Sequence, residues 1–251
     1  MKRCLVEFTK TGSLIYLSHL DLTRLFLRVL RMTELRPSYS QGFNPHPKMS
    51  LALPLPLGVH SVCEWLEFET EGDTGDDPLA RLNARFPEGV HATRFLEKPA
   101  GYPKSLASYV DAASYEILIE GVEDAPKKFE EFFALPRIPL LKERKGRASE
   151  VDIRPQMLDH RIVKDMPGRL LASVTLSAGA GNTLNPLRFT EALLRTYPDL
   201  QSKSMEGATR GFPKSPILWN LPGTQLCPKA ASPARMVTRT AILGADGNPL
   251  L

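Results

Sequence analysis

A short segment near the N-terminus, residues 41–48, carries a closely spaced set of chemically varied side chains. It reads Q-G-F-N-P-H-P-K, so an amide, an aromatic ring, an imidazole and an ammonium group lie within a few residues of one another. The two prolines fix the backbone and Gly42 permits a sharp turn, which predicts a stiff loop. Such loops often carry binding residues, although Pro- and Gly-rich connectors without a binding role are also common. Together with two residues of the preceding segment, the candidate ligand-binding residues are His19, Asp21, Gln41, Phe43, Asn44, His46 and Lys48.

The segment before this loop is predicted to be an amphipathic helix that begins after Ser18. Its apolar residues recur at helical spacing, and Asp21 stands three residues after Ser18, where the acid of a capping box is found. Three arginines fall at i, i+4 and i+7 on the polar face, which aligns their guanidinium groups. A second basic cluster spans residues 137–169 and is interleaved with acids, which is typical of a solvated hairpin but still allows contacts to phosphates. The candidate nucleic-acid-binding residues are Arg24, Arg28, Arg31, Lys142, Arg144, Arg147 and Arg154.

The loop and the start of the helix are expected to meet. Gly42 lets the chain reverse, and we expect the loop to pass over the positive end of the helix, beside His19 and Asp21. A pocket formed in this way would suit a phosphate or a carboxylate. A metal site made of His19, Asp21 and His46 has too few ligands to be predicted.

Composition limits the classes of protein that the chain can belong to. It has 251 residues, of which 42% are hydrophobic, enough for a folded core in one large or two ordinary domains. The three cysteines, at positions 4, 63 and 227, form no closely spaced pair, so we expect no disulfide framework, zinc site, iron–sulfur cluster or other cofactor. No apolar run is long enough to span a membrane and no signal peptide is recognisable, which indicates a cytoplasmic protein without a membrane partner.

Charge is distributed unevenly along the chain, although the net charge is only +4. Basic residues outnumber acidic ones in the first sixty residues, whereas acids predominate over residues 61–104. A basic region beside an acidic one favours a polyanionic partner for the first region, with a solvated surface as the alternative.

The predicted elements indicate an α+β fold of two tandem ferredoxin-like (βαββαβ) units. In the first unit, residues 1–104, strands are predicted at 3–16, 62–70 and 90–96, helices at 18–31 and 77–86, and either an edge strand or an apolar loop at 49–57. In the second unit, residues 105–220, strands are predicted at 113–120, 140–153, 170–176 and 216–219 and helices at 125–135 and 185–194. Residues 221–251 lack an apolar period and are predicted to form a poorly ordered tail.

Three stretches carry a resemblance to a known family. They are S-H-L-D-L-T-R-L-F-L-R, Y-S-Q-G-F-N-P-H-P-K-M-S-L-A-L-P-L-P-L-G-V and E-V-D-I-R-P. Over about residues 1–220 the chain resembles the bacterial radical SAM-linked protein family, a domain of unknown function. The resemblance implies a protein encoded beside, or fused to, a cobalamin-type radical SAM protein, often near RNA-processing or ribosomal genes, and it implies no established activity. The family motif falls on His19, Asp21, Gln41, Gly42, Phe43, Asn44, His46, Lys48, Gly58, Asp152 and Arg154.

The leading hypothesis is a non-catalytic accessory protein that binds RNA or presents a substrate to a radical SAM enzyme encoded nearby. Its RNA would be structured, such as tRNA or rRNA. One alternative is a protein–protein adaptor, in which the apolar residues 51–57 dock the enzyme and the acidic residues 64–77 steer it. The other is a metal-independent RNA endonuclease in which His19 or His46 is the general base.

Overall fold

The protein is an α+β chain, and its computed structural model describes residues 2–98, 105–120, 124–144, 147–179, 181–200 and 237–250. These residues form two compact units, one within residues 2–110 and the other within residues 111–249. The predicted strand at 216–219 lies outside the described residues. None of the described helices is long and apolar enough to cross a membrane.

The first unit is a four-stranded antiparallel sheet with two helices. Its strands follow the order β2-β3-β1-β4 across the sheet, and each neighbouring pair is antiparallel. The chain therefore passes through this unit as strand, helix, strand, strand, helix, strand. The elements are β1 (Lys2–Lys10), α1 (His19–Met32), β2 (Met49–Leu51), β3 (His60–Thr70), α2 (Pro78–Asn83) and β4 (Val90–Lys98).

The core of the first unit lies between its sheet and α1. The predicted apolar face of α1 is buried, and the ring of Phe26 lies 4.6 Å from that of Phe8 and 5.0 Å from that of Phe86, measured between centroids. At the start of the helix, the backbone N–H of Asp21 donates to Ser18 Oγ at 3.2 Å, which confirms Ser18 as the N-cap. The helix is thus fixed in rotation by its core residues, and its arginines must point outward. The buried residues of α1 are Leu22, Phe26, Val29 and Leu30.

Over the residues described, the second unit contains five antiparallel strands and a two-stranded hairpin. Strand β9 pairs with β5 on one side and with β8 and β10 on the other, and β11 pairs with β5, all antiparallel. Strands β6 and β7 pair only with each other among the described residues. The elements are β5 (Ala112–Glu120), α3 (Ala125–Ala134), β6 (Pro139–Arg144), β7 (Arg147–Asp152), β8 (Met157–Met166), β9 (Arg169–Gly179), β10 (Asn182–Thr183), α4 (Pro186–Thr196) and β11 (Val237–Leu243).

The second unit corrects the prediction at two places. Residues 140–153 were predicted to be one strand, but they form most of the hairpin β6–β7, and the strand β8 that follows was not predicted. The Lys145-Gly146 pair between the hairpin strands is a typical turn sequence, and the charges around it obscure the alternation of apolar residues.

The predicted disordered tail also contains a strand, β11, which pairs with β5. The sequence V-T-R-T-A-I-L is rich in β-branched residues, and Val237 and Ile242 are buried. Its seven residues were overlooked because the surrounding sequence is dominated by Pro, Gly, Ala and Ser. Residues 221–236 of the predicted tail lie outside the described residues.

Candidate functional site

The loop at residues 41–48 is closed by hydrogen bonds at its base. The backbone N–H of Ser40 donates to the carbonyl of His46 at 2.8 Å, and the N–H of His46 donates to Ser40 Oγ at 2.9 Å. One step further out, Tyr39 and Pro47 form a β-bridge, and the N–H of Lys48 donates to the carbonyl of Ser38 at 2.7 Å. The stiffness predicted from the prolines is therefore reinforced by backbone bonds, and only residues 41–45 project beyond the base.

The tip of this loop is exposed to solvent. Phe43 has a relative exposed area of 101%, so its ring touches nothing that would shield it from water. Within the described part of the chain, the side chains of Gln41 and Asn44 form no hydrogen bond. Gly42 has φ of +134°, which only glycine adopts readily, while a Cβ at this position would meet no atom within 4 Å. The glycine is thus required by backbone conformation and not by space.

The loop base is attached to the C-terminal end of α1 through Arg31. Its Nη2 donates to the hydroxyl of Tyr39, and its guanidinium carbon lies 5.9 Å from the centre of the Tyr39 ring. Arg24 and Arg28 are exposed further back along the same helix, and Arg24 pairs with Asp21 at 3.0 Å. The structure therefore brings the predicted arginine stripe and the loop base together at Arg31, a contact that the sequence did not predict.

The other side of the loop is anchored to β3 by ion pairs. Lys48 Nζ lies 3.0 Å from Glu69 Oε2, and Arg3 Nη2 lies 3.3 Å from Glu69 Oε1. The pKa of Glu69 is lowered, first by the hydrogen bond from Lys48 and then by that from Arg3. Arg3 Nε also lies 3.4 Å from Glu67 Oε1. Lys48 therefore holds the loop in position, beside a shallow cavity of about 160 Å³ lined by Lys48, Met49, Ser50, Glu67, Phe68 and Glu69.

The predicted pocket between the loop and the helix start is not formed. The loop base lies at one end of β3, because the backbone N–H of Ser38 donates to the carbonyl of Glu69. Helix α1 follows Lys10, and Lys10 pairs with Ser61 at the other end of β3. Eight residues of strand separate these two ends, which is about 27 Å. The loop lies near the C-terminal end of α1 because the helix runs back along the sheet before the loop begins.

His19, Asp21 and His46 consequently share no site. Among the described residues, no group of three His, Cys, Asp or Glu side chains is arranged to hold a metal ion. The carboxylate of Asp21 instead accepts a hydrogen bond from Ser18 Oγ at 2.6 Å and one from Arg24 at 3.0 Å. These bonds, the one from Ser18 foremost, lower the pKa of Asp21. Asp21 thus supports the N-cap residue Ser18 at the start of α1.

The candidate residues of the second basic cluster belong to the second unit. Arg144 pairs with Arg147, and Lys142 with Ser149, in the ladder of the β6–β7 hairpin. Arg154 follows the hairpin and donates through Nη1 to the carbonyl of Met157 at 3.1 Å.

Asp152 has a structural role in the same segment. Its Oδ1 accepts the backbone N–H of Ile138 at 2.9 Å and that of Arg154 at 3.0 Å. The pKa of Asp152 is lowered, chiefly by the bond from Ile138. The aspartate of the E-V-D-I-R-P motif therefore fixes the backbone at the end of the β6–β7 hairpin.

The apolar segment required by the adaptor hypothesis is mostly buried, whereas the acids at 71–77 of its acidic segment are exposed. Leu51, Leu53 and Leu55 belong to the core, and Glu64 and Glu67 are also buried. One residue of that segment, Leu57, is exposed and lies near the start of α1, where the N–H of Gly58 donates to the carbonyl of Ile15 at 3.0 Å. The other members of this surface, the apolar patch, were missed because they are distant from Leu57 in sequence. It consists of Tyr16, Leu20 and Leu57.

Comparison with protein families gives a match over residues 3–186, to a family described as uncharacterised proteins conserved in bacteria (DUF2344). The chain belongs to this family. The matched region contains the arginine stripe, the loop and the β6–β7 hairpin, and it ends at the first residue of α4, before β11. No curated protein is similar enough to give a match.

Proposed function

We propose that this DUF2344 protein is a non-catalytic accessory protein that binds RNA through its first unit and works with a radical SAM enzyme. The observation that carries the RNA-binding proposal is the contact between Arg31 and Tyr39, which joins the arginine stripe to the base of the exposed loop. Cations that follow a helix attract phosphates, and an aromatic ring beside them can stack on a base. The two kinds of group lie on neighbouring parts of one unit.

The local charge supports a polyanionic ligand. Residues 35–63 contain no acidic residue, and this range includes the whole loop and β2. Glu69, an acid beside the loop base, is paired with Lys48 and Arg3. A phosphate backbone would therefore meet little repulsion at the loop.

The enzyme partner is supported by sequence resemblance to the radical SAM-linked family over the helix and loop motifs. Cys4 and Cys63 are poor candidates for holding a cluster, because both are buried and burial raises the pKa of the Cys4 thiol to about 12. In this proposal the iron–sulfur chemistry belongs to the partner, and our protein handles the RNA substrate.

We also infer that both units are ferredoxin-like. The order β2-β3-β1-β4 in the first unit and β8-β9-β5-β11 in the second support this inference, as do helices after the first and third strand of each set. The β6–β7 hairpin is then an insertion after the first helix of the second unit.

RNA binding is tested with the full chain and fluorescently labelled bulk tRNA in anisotropy titrations at several salt concentrations. We expect affinity to fall steeply with salt, because phosphate contacts release counterions. Arg28→Ala should weaken binding and reduce the magnitude of the log–log salt slope by about one. The matched control is Arg195→Ala, an exposed arginine on α4, which should change neither. Absence of binding, or binding indifferent to salt, rules out the RNA-binding function.

The apolar patch favours a second candidate, a protein adaptor that docks the enzyme without RNA. Three large exposed apolar side chains around one helix start are more than a solvated surface needs. Co-purification with the radical SAM protein, with and without nuclease, separates the two candidates. Loss of the complex after nuclease treatment indicates RNA bridging, whereas retention that is abolished by Leu20→Ala together with Leu57→Ala indicates the adaptor.

A further inference from the structure

The loop tip has features that the general RNA-binding proposal does not explain. An arginine stripe alone binds phosphates, yet the sequence also places a fully exposed phenylalanine between two exposed amides. The ring contributes nothing to the core of the unit. Resting on the proposed function, we infer that the loop tip binds an unpaired nucleobase, with Phe43 as its stacking surface and Gln41 and Asn44 as partners for its edge.

The geometry of RNA makes an unpaired base the matching ligand. In an A-form duplex both faces of each base are covered by its neighbours, and the deep, narrow major groove does not admit side chains. An aromatic ring can therefore stack only on a base that is splayed out in a loop, bulge or single strand. Amide side chains both donate and accept, as the edge of such a base requires.

The loop is already in a fixed shape. Its base is closed by the bonds between Ser40 and His46, and Pro45 and Pro47 restrict the residues on one side of the tip. Little backbone entropy is lost when such a loop binds, and phenylalanine has only two side-chain torsions to fix. The loop is thus suited to hold the ring at a set distance from the arginine stripe.

The charge around the tip favours an anionic ligand over a basic or apolar protein surface. Arg31 meets the loop base at Tyr39, and the stripe continues to Arg28 and Arg24. A strand whose phosphates follow the stripe would bring its next base to the tip. The ligand assigned to this site is therefore an RNA with an unpaired nucleotide next to a backbone segment.

The test compares two probes with the full chain: a fluorescein-labelled RNA stem-loop and a labelled blunt RNA duplex with the same number of phosphates. Phe43→Ala should lower the affinity for the stem-loop about tenfold and leave the affinity for the duplex unchanged. Phe43→Trp should restore stem-loop binding, and its added fluorescence should be quenched by the stem-loop. Leu158→Ala, which removes an exposed apolar side chain on β8 of the second unit, serves as control and should affect neither probe.

The outcomes separate this inference from the function on which it rests. If the stem-loop and the duplex bind the unaltered protein but Phe43→Ala changes neither, or changes both equally, the loop tip does not bind an unpaired base and RNA binding by the stripe remains. If neither RNA binds the unaltered protein, the proposed function itself fails. Equal melting temperatures of the variant and the unaltered protein exclude misfolding as the cause of any loss.

Discussion

Each unit carries candidate binding residues in the same connection, the one between its first helix and the next strand of the main sheet. In the first unit this is the stretch from the end of α1 to β2, and in the second it is the stretch from α3 to β8. The first connection ends in an exposed loop, whereas the second forms the β6–β7 hairpin. Similar sheets thus support different connections, and the connection distinguishes the units chemically.

The difference lies in how the polar side chains are used. In the second unit, the acid of the E-V-D-I-R-P motif binds two backbone N–H groups and Arg154 binds a carbonyl, so the chain itself occupies them. In the first unit, the backbone closes the loop and leaves the side chains of Gln41, Phe43 and Asn44 directed to solvent. Motif residues of one family can therefore be structural in one unit and available to a ligand in the other.

The largest expected effect is on stability, and it separates the buried core of the first unit from its exposed loop. Phe26→Ala removes a fully buried ring and should lower the free energy of unfolding by about 3–5 kcal/mol. Phe43→Ala removes a fully exposed ring and should change it by no more than about 0.5 kcal/mol. Both values come from urea denaturation followed by circular dichroism. A loss above about 1 kcal/mol for Phe43→Ala would mean that the loop is part of the core.

A smaller effect is expected in the connection of the second unit. Asp152→Ala leaves the backbone N–H groups of Ile138 and Arg154 without their acceptor and should cost about 1 kcal/mol. Asp152→Asn, which keeps one side-chain oxygen, should recover part of the loss. Denaturation midpoints of the two variants check this order. Equal stability of all three proteins would contradict the structural role given to this motif.

His46→Ala is expected to leave stability nearly unchanged. Only the backbone of His46 takes part in closing the loop, and its side chain is exposed, so the free energy of unfolding should shift by no more than about 0.5 kcal/mol. Binding to the stem-loop RNA should nevertheless weaken. A fall in melting temperature comparable to that of Asp152→Ala would place the imidazole among the structural groups of the loop, and unchanged RNA binding would remove it from the site.

The smallest effect concerns the anchor between Lys48 and Glu69. Because the pKa of Glu69 is lowered in the folded protein, its stabilising contribution is fully present above the unfolded pKa of about 4.3 and is lost as pH falls through the lower folded value. Stability should therefore show no dependence on this pair between pH 5 and pH 7, a window above both values. In Lys48→Met, the pKa of Glu69 followed by NMR should rise towards its usual value. An unchanged pKa would contradict the anchor.

Local features of the first unit were predictable, whereas long-range ones were not. The cap at Ser18, the apolar face around Phe26 and the stiffness of the loop depend on neighbouring residues, and the structure contains all three. The position of the loop depends on which end of β3 pairs with β2. This is a long-range pairing, which the pattern of neighbouring residues does not determine. The predicted pocket between His46 and His19 failed for this reason.

The same distinction applies to the second unit. Helix α4 was predictable because Asn185 caps it and Pro186 occupies its first turn. Strand β11 was not predictable, because a strand of seven residues is identified chiefly by the strand with which it pairs. Its partner, β5, lies far away in sequence. Charged strands such as β8 are similarly obscured, since their apolar positions are few.

The pairing of β11 with β5 has a consequence for the order in which the protein folds. Arg239 and Tyr115, which hydrogen-bond across this pair, are 124 residues apart in the sequence. Contacts of this kind raise the contact order of the protein and form late in folding. During synthesis, β5 leaves the ribosome long before β11 exists, and its edge stays unpaired until β11 has been made. A nascent or truncated chain that stops before Val237 lacks the strand that pairs with this edge. Such a chain is a natural client for a chaperone until β11 has been synthesised.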